Sequence, residues 1–170
     1  MEIVMRKIRL LLVACCSVFL CQVAQAEPTS GGLSSDALGG VVTMKSEHSV
    51  INTAEGLQEN LEQKGFLIKG VIDHQEIARS LGHELRPTIG ILFGNPDYEY
   101  YLMKETQLTS LFVPLNFSTW EAESGEVFVS YWSPERNIDK EFAFVTEDAK
   151  KAIRLMSQEM DEVAKMATKK

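Results

Sequence analysis

The chain has 170 residues, 24 acidic against 17 basic side chains, and three cysteines, all within the first 21 positions. The length suits one domain, and 45% apolar with 24% charged residues is the mixture of a globular fold rather than a disordered one. A net charge of −7 argues against a nucleic-acid binder, which needs a basic face to neutralise phosphates.

The first 26 residues read as an address. Met5-Arg6-Lys7-Ile8-Arg9 is a short basic stretch, Leu10 to Leu20 is an apolar run, and Ala24-Gln25-Ala26 places small residues before a cut at Glu27. That is the pattern of a secretory signal peptide. The apolar run is shorter than the roughly 20 residues that cross a bilayer. A second reading makes Leu12-Val13-Ala14-Cys15 a lipobox with Cys15 acylated, but its apolar stretch is short for that role. Removing 26 residues, with three basic and one acidic side chain among them, leaves 144 residues at −9 and no cysteine. The expected location is periplasmic or secreted, with no membrane attachment once the signal is cut. Such a chain has no disulfide and relies on its hydrophobic core. Residues 27–40 are half Gly and Ser, a flexible linker. One domain is expected over 41–170.

Within it, Val41 to Met44 is a short strand. Ser46 or Ser49 can cap the helix that follows, where Val50, Ala54, Leu57 and Leu61 form an apolar stripe. Gly56 weakens that helix, and Gly65 suits a left-handed C-terminal position with Phe66 folding back on Leu61. Phe66 to Ile72 is the second strand. Asp73 and Glu76 form a capping-box variant, with Ile72 and Ile77 as a hydrophobic staple, and Gly82 ends the short helix. Thr88 to Phe93 is the third strand, and Gly94-Asn95-Pro96-Asp97 turns the chain. Tyr98 to Leu108 reads as an irregular helix. Alternation from Leu111 to Thr119 predicts a fourth strand, and Ser124-Gly125 a hairpin turn into a fifth over Val127 to Tyr131, which Ser133-Pro134 ends. Thr146 caps a last helix carrying Ile153, Met156, Met160 and Val163 on one stripe. The order β-α-β-(α)-β-(α)-β-β-α predicts an α+β fold, a mainly antiparallel sheet backed by helices.

Five strings in this order resemble the bacterial domain-of-unknown-function family 302. They are Gly70-Val71-Ile72-Asp73-His74, Leu85-Arg86-Pro87-Thr88, Ile91-Leu92-Phe93-Gly94-Asn95-Pro96, Pro114-Leu115 and Val127-Phe128-Val129-Ser130-Tyr131. The resemblance spans about residues 41–140. It implies a curved antiparallel sheet with helices on one face, akin to the TATA-binding-protein fold, and it implies neither DNA binding nor a reaction. The sequence departs from the family where Asp97-Tyr98-Glu99-Tyr100-Tyr101 follows the Gly-Asn-Pro turn, and where Asn116 to Trp120 is more polar than usual.

Three residues stand out as ligand contacts. His74 sits at the first position of a helix, where the dipole favours a neutral imidazole, able to act as a base or a ligand, although a plain first-turn role also accounts for it. Arg86 precedes Pro87, which holds it extended, and a held guanidinium is a fork for carboxylate or phosphate. Asn95 is a turn former that can also donate to a ligand at a pocket rim. His48, His74, His83, Glu76 and Glu84 lack the spacing of a metal site, so no metal or cofactor is expected. The reading is an exported domain that binds a small molecule or a protein partner without catalysis. An enzyme using His74 as acid or base is the alternative, and a homodimer burying the aromatic segment 98–101 is the third.

Overall fold

A computed structural model describes residues 39–170; the expected signal peptide and nearly all of the linker lie outside the described residues. Five strands form one sheet: β1 (Val41–Ser46), β2 (Leu67–Asp73), β3 (Thr88–Gly94), β4 (Leu115–Glu121) and β5 (Val127–Trp132). Their order across the sheet is β1-β5-β4-β3-β2, and every pair is antiparallel. The helices are α1 (Val50–Gln63), α2 (His74–Ser80), α3 (Pro96–Glu105), α4 (Pro134–Phe142) and α5 (Glu147–Thr168). The α+β class expected from the element order is the one found.

Local chemistry explains the helix ends. Ser49, not Ser46, caps α1 by accepting from the Asn52 amide at 3.2 Å. Gly65 has φ +77°, the Phe66 amide donates to the Leu61 carbonyl at 3.0 Å and the Gly65 amide to Glu62 at 2.9 Å, the two bonds of a Schellman end. Gly82 repeats the device at the end of α2, with φ +78° and the His83 amide donating to Ala78 at 2.9 Å. Asp73 caps α2 through the Glu76 amide at 2.9 Å. The rest of the expected capping box does not form, because the Glu76 carboxylate accepts from Arg79 instead, and Ile77 stands 52% exposed rather than stapled.

The core lies between one face of the sheet and α1, α3 and α5. Alternate residues of each central strand point inward: Ile91 and Phe93, Leu115 and Phe117, Val129 and Tyr131 are all buried. Five rings run across this face in contact, Tyr98–Phe66–Phe93–Phe117–Tyr131, with successive centroids 6.3, 5.6, 4.9 and 5.1 Å apart. Four of the five are buried and Tyr98 is partly so; each buried ring contributes about 2–3 kcal/mol by leaving water. On α5 the expected stripe is buried, joined by Ala149, Ala152, Ala164 and Ala167. These small residues let α1 approach closely, so that a Cβ on Gly56 would lie 3.5 Å from that of Ala167.

Two elements differ from the sequence reading. The fourth strand begins at Leu115 rather than Leu111, and a 3-10 turn over Gln107–Leu111 precedes it, with Leu111 78% exposed. Alternation of residue types does not by itself make a strand, and here Leu111 closes the 3-10 turn while pairing with β3 begins at Leu115. Pro134 does end β5, but it also opens α4, because the first position of a helix needs no amide hydrogen. That helix has a weak apolar signature: among the residues whose side chains are described it buries Pro134 and Ile138.

Candidate functional site

The expected contacts do not share one place. His74 and Arg86 lie at the end of the sheet where β2 leaves and β3 enters, since Asp73 pairs with Ile89 and Thr88 follows Arg86 by two residues. Asn95 lies beyond the other end of β3. Seven strand residues stand between Arg86-Pro87 and Asn95, about 20–25 Å of extended chain. The Asn95 side chain accepts from the Asp97 amide at 3.0 Å as the cap of α3, with Pro96 at the first helical position. Gly94 completes that motif for a packing reason. A Cβ there would lie 1.8 Å from Glu99 Oε1 and 2.8 Å from Lys69 Nζ. The glycine vacates the space for a half-buried ion pair, Lys69 Nζ to Glu99 Oε1 at 2.6 Å.

His74 is exposed, and its Nε2 lies 3.3 Å from where a Gly90 Cβ would be. The ring thus rests over a glycine on the face of the sheet opposite the core. Across that face the register runs Ile72, Gly90, Ser118, Ser130, Thr43. Ser130 Oγ receives the Trp120 indole N–H at 2.9 Å and lies 2.9 Å from the Thr43 hydroxyl.

Arg86 lines an open cleft of about 760 Å³, together with Gln75, Arg79, His83, Glu84, Leu85 and Pro87. Its floor is the irregular stretch between α2 and β3, and that stretch is pinned along its length. His83 is tied by its amide to Ala78 at 2.9 Å. Leu85 is tied by its carbonyl to Gln75 Nε2 at 3.0 Å. The Arg86 Nε donates to the Glu121 carbonyl at 3.0 Å, and its own carbonyl accepts from the Thr88 hydroxyl at 3.1 Å. The Pro87 carbonyl accepts from the Glu121 amide at 3.0 Å. Five bonds on four of the five residues His83–Pro87 hold in place chain that has no regular structure. Sequence reasoning misses Arg79 and names His83 only among the candidate metal ligands, apart from Arg86. The signal was present in Gly82, whose left-handed turn brings His83 back beside α2. A smaller recess of about 160 Å³ adjoins this one and shares Gln75 and Pro87. Among the described residues no group of three His, Cys, Asp or Glu is placed to hold a metal ion.

Comparison with known proteins agrees with this architecture. The family described as "Domain of unknown function DUF302" matches residues 42–163. The chain belongs to the DUF302 family. A crystal structure of an uncharacterized conserved DUF302 protein from Bacillus stearothermophilus superposes with a TM-score of 0.66 at 17% identity, covering 75% of this chain and 98% of that one. At that identity the likeness concerns the fold. Curated relatives include proteins named Fluoride-specific ion channel FluC 1 from Brucella suis and from Brucella abortus, each 34% identical over 95 residues. Those residues are 56% of this chain but 37% and 35% of the relatives, so this DUF302 chain matches little more than a third of their length.

Proposed function

We propose that this DUF302 protein is an exported periplasmic domain that binds a small molecule in the cleft beside Arg86, without chemistry on it. The observation that carries the reading is the pinned stretch His83–Pro87, which presents side chains to an open cleft although it belongs to no core. Holding surface residues in a fixed arrangement before a ligand arrives lowers the cost of binding. The signal-like leader and the Gly/Ser linker support export of a tethered or free module. A module reading also fits the longer Brucella chains, in which a homologous region accounts for about a third of a protein named as an ion channel.

The test is native mass spectrometry on protein released from the periplasm by osmotic shock. The expected species begins at Glu27 and carries a small molecule that is absent from the Arg86→Ala protein. A full-length chain retained in the cytoplasm refutes the export. Thermal-shift responses to a ligand library that are identical in wild type and Arg86→Ala refute the place of Arg86.

Self-association is a second reading, favoured by the exposed edge-to-face pair Tyr100 and Tyr101, 58% and 38% exposed with centroids 5.4 Å apart. It requires a dimer by light scattering that Tyr100→Ser breaks.

A further inference from the structure

Building on the cleft reading above, we infer that the cleft takes a single oxyanion head, a carboxylate or phosphate on a small organic molecule, through Arg86 with Arg79 and His83 beside it. Arg86 commits its Nε to the Glu121 carbonyl at 3.0 Å. That bond fixes the plane of the guanidinium, and its Nη groups make no hydrogen bond or ion pair among the described residues. A guanidinium held on one edge offers the other as a two-pronged donor, which matches two oxygens of a carboxylate or phosphate. Arg79 is held in turn by the Glu76 carboxylate on its own helix. The His83 backbone is locked by the Schellman end of α2, so its ring is presented from a fixed point on the same cleft.

The counter-charge sets the size of the ligand's charge. Two guanidinium groups and one carboxylate, Glu84, line the cleft, and the Glu76 carboxylate already pairs with Arg79, so Arg86 is the guanidinium left to meet a ligand. That balance suits one anionic head and opposes a polyphosphate or a nucleic-acid backbone. It also stands against the sign of the chain, which is −7 as a whole. The long-range field of the protein repels anions, so a response to an anion has to come from local contacts. The cleft is wide enough at about 760 Å³ to leave room beyond the head for the rest of a small molecule.

The experiment is an amide and arginine Nε chemical-shift titration of the folded protein with acetate and with inorganic phosphate, run beside neutral glucose. The expected result is a saturable shift at Gln75, Arg79 and His83 to Pro87, with one of the two anions stronger, which separates carboxylate from phosphate. Arg86→Gln is expected to weaken the response by at least about tenfold, as loss of a charged hydrogen-bond donor does. Lys151→Gln removes the same charge near the start of α5, the end tied to Glu105 through Thr146 and no part of the cleft lining, and is expected to leave it unchanged. Unfolding is checked in each variant by its dispersed amide spectrum, and Arg86→Lys keeps the charge while removing the fork, so a weakened Lys variant supports bidentate binding. Equal responses in wild type and Arg86→Gln, or equal losses in Arg86→Gln and Lys151→Gln, overturn the inference. Saturable shifts in the cleft with glucose but with neither anion overturn the oxyanion class and leave the cleft standing. No response there to any of the three overturns both.

Discussion

Gly94→Ala tests whether the Gly-Asn-Pro motif exists for packing. The added methyl carbon would lie 1.8 Å from Glu99 Oε1, so that oxygen must retreat by about 1.6 Å to reach ordinary contact distance. Lys69 Nζ donates to both Glu99 oxygens, at 2.6 Å and 2.8 Å, and the methyl carbon would also lie 2.8 Å from Nζ, so ammonium and carboxylate are both pushed out of the bonded arrangement. Both atoms are the ends of flexible side chains, so the backbone need not move and the cost is that of the pair. Lys69 is one-third exposed but the Glu99 side chain is only 10% exposed, so the carboxylate is left close to uncompensated. About 2 kcal/mol is the expected loss, or roughly 5–10 °C in Tm for a domain of this size. Urea unfolding followed by the fluorescence of Trp120 and Trp132 measures it. Glu99→Ala and the double variant complete a cycle. Once Gly94→Ala has broken the pair, removing Glu99 costs little more, so the double variant is expected to be more stable than the sum of the singles implies by about 1–2 kcal/mol. A Gly94→Ala protein as stable as wild type, or strict additivity, refutes the reasoning.

Three further outcomes follow from other contacts. Gly56→Ala is expected to gain about 1 kcal/mol of helix propensity, because its Cβ would meet Ala167 at an ordinary 3.5 Å; a lowered urea midpoint would show that α1 and α5 have no such room. Glu105 accepts from the Val145 and Thr146 amides at 3.0 and 2.8 Å and from the Thr146 hydroxyl, and the hydroxyl bond is the largest of the causes that hold its carboxyl below the ordinary 4.5. With the folded value depressed, its contribution is complete above pH 4.5 and fades as pH falls through the folded value, so Glu105→Gln is expected to show a shallower acid limb in stability against pH. Tyr131 is pushed well above 10 first by burial and then by Asp161, and Tyr98 is raised by burial and Glu159. The folded state keeps these protons longer than the unfolded one, so stability is intact below pH 10 and declines above it; Tyr131→Phe is expected to lessen that decline, and an unchanged slope would place the ionisation elsewhere.

Features governed by short-range bonds and periodicity were legible from the residues alone. The Schellman end at Gly65, the Asp73 cap, the inward alternation of β5 and the buried stripe of α5 each depend on residues a few positions apart, whose preferences act before any tertiary contact forms. The five family strings likewise sufficed to name the DUF302 fold. Tertiary structure decided everything that joins distant residues. Gly94 matters because Lys69, 30 positions from Glu99, brings its ammonium to that carboxylate. Arg86 gains its fixed orientation from Glu121, 35 positions away on β4. Asn95 parts from Arg86 because β3 is a full strand long, and α4 forms on a proline that read as a strand end. Spacing along a chain carries no measure of which strand will lie beside which. That is set by the register of an antiparallel sheet and by the rings packed across its inner face, and it places the cleft residues together.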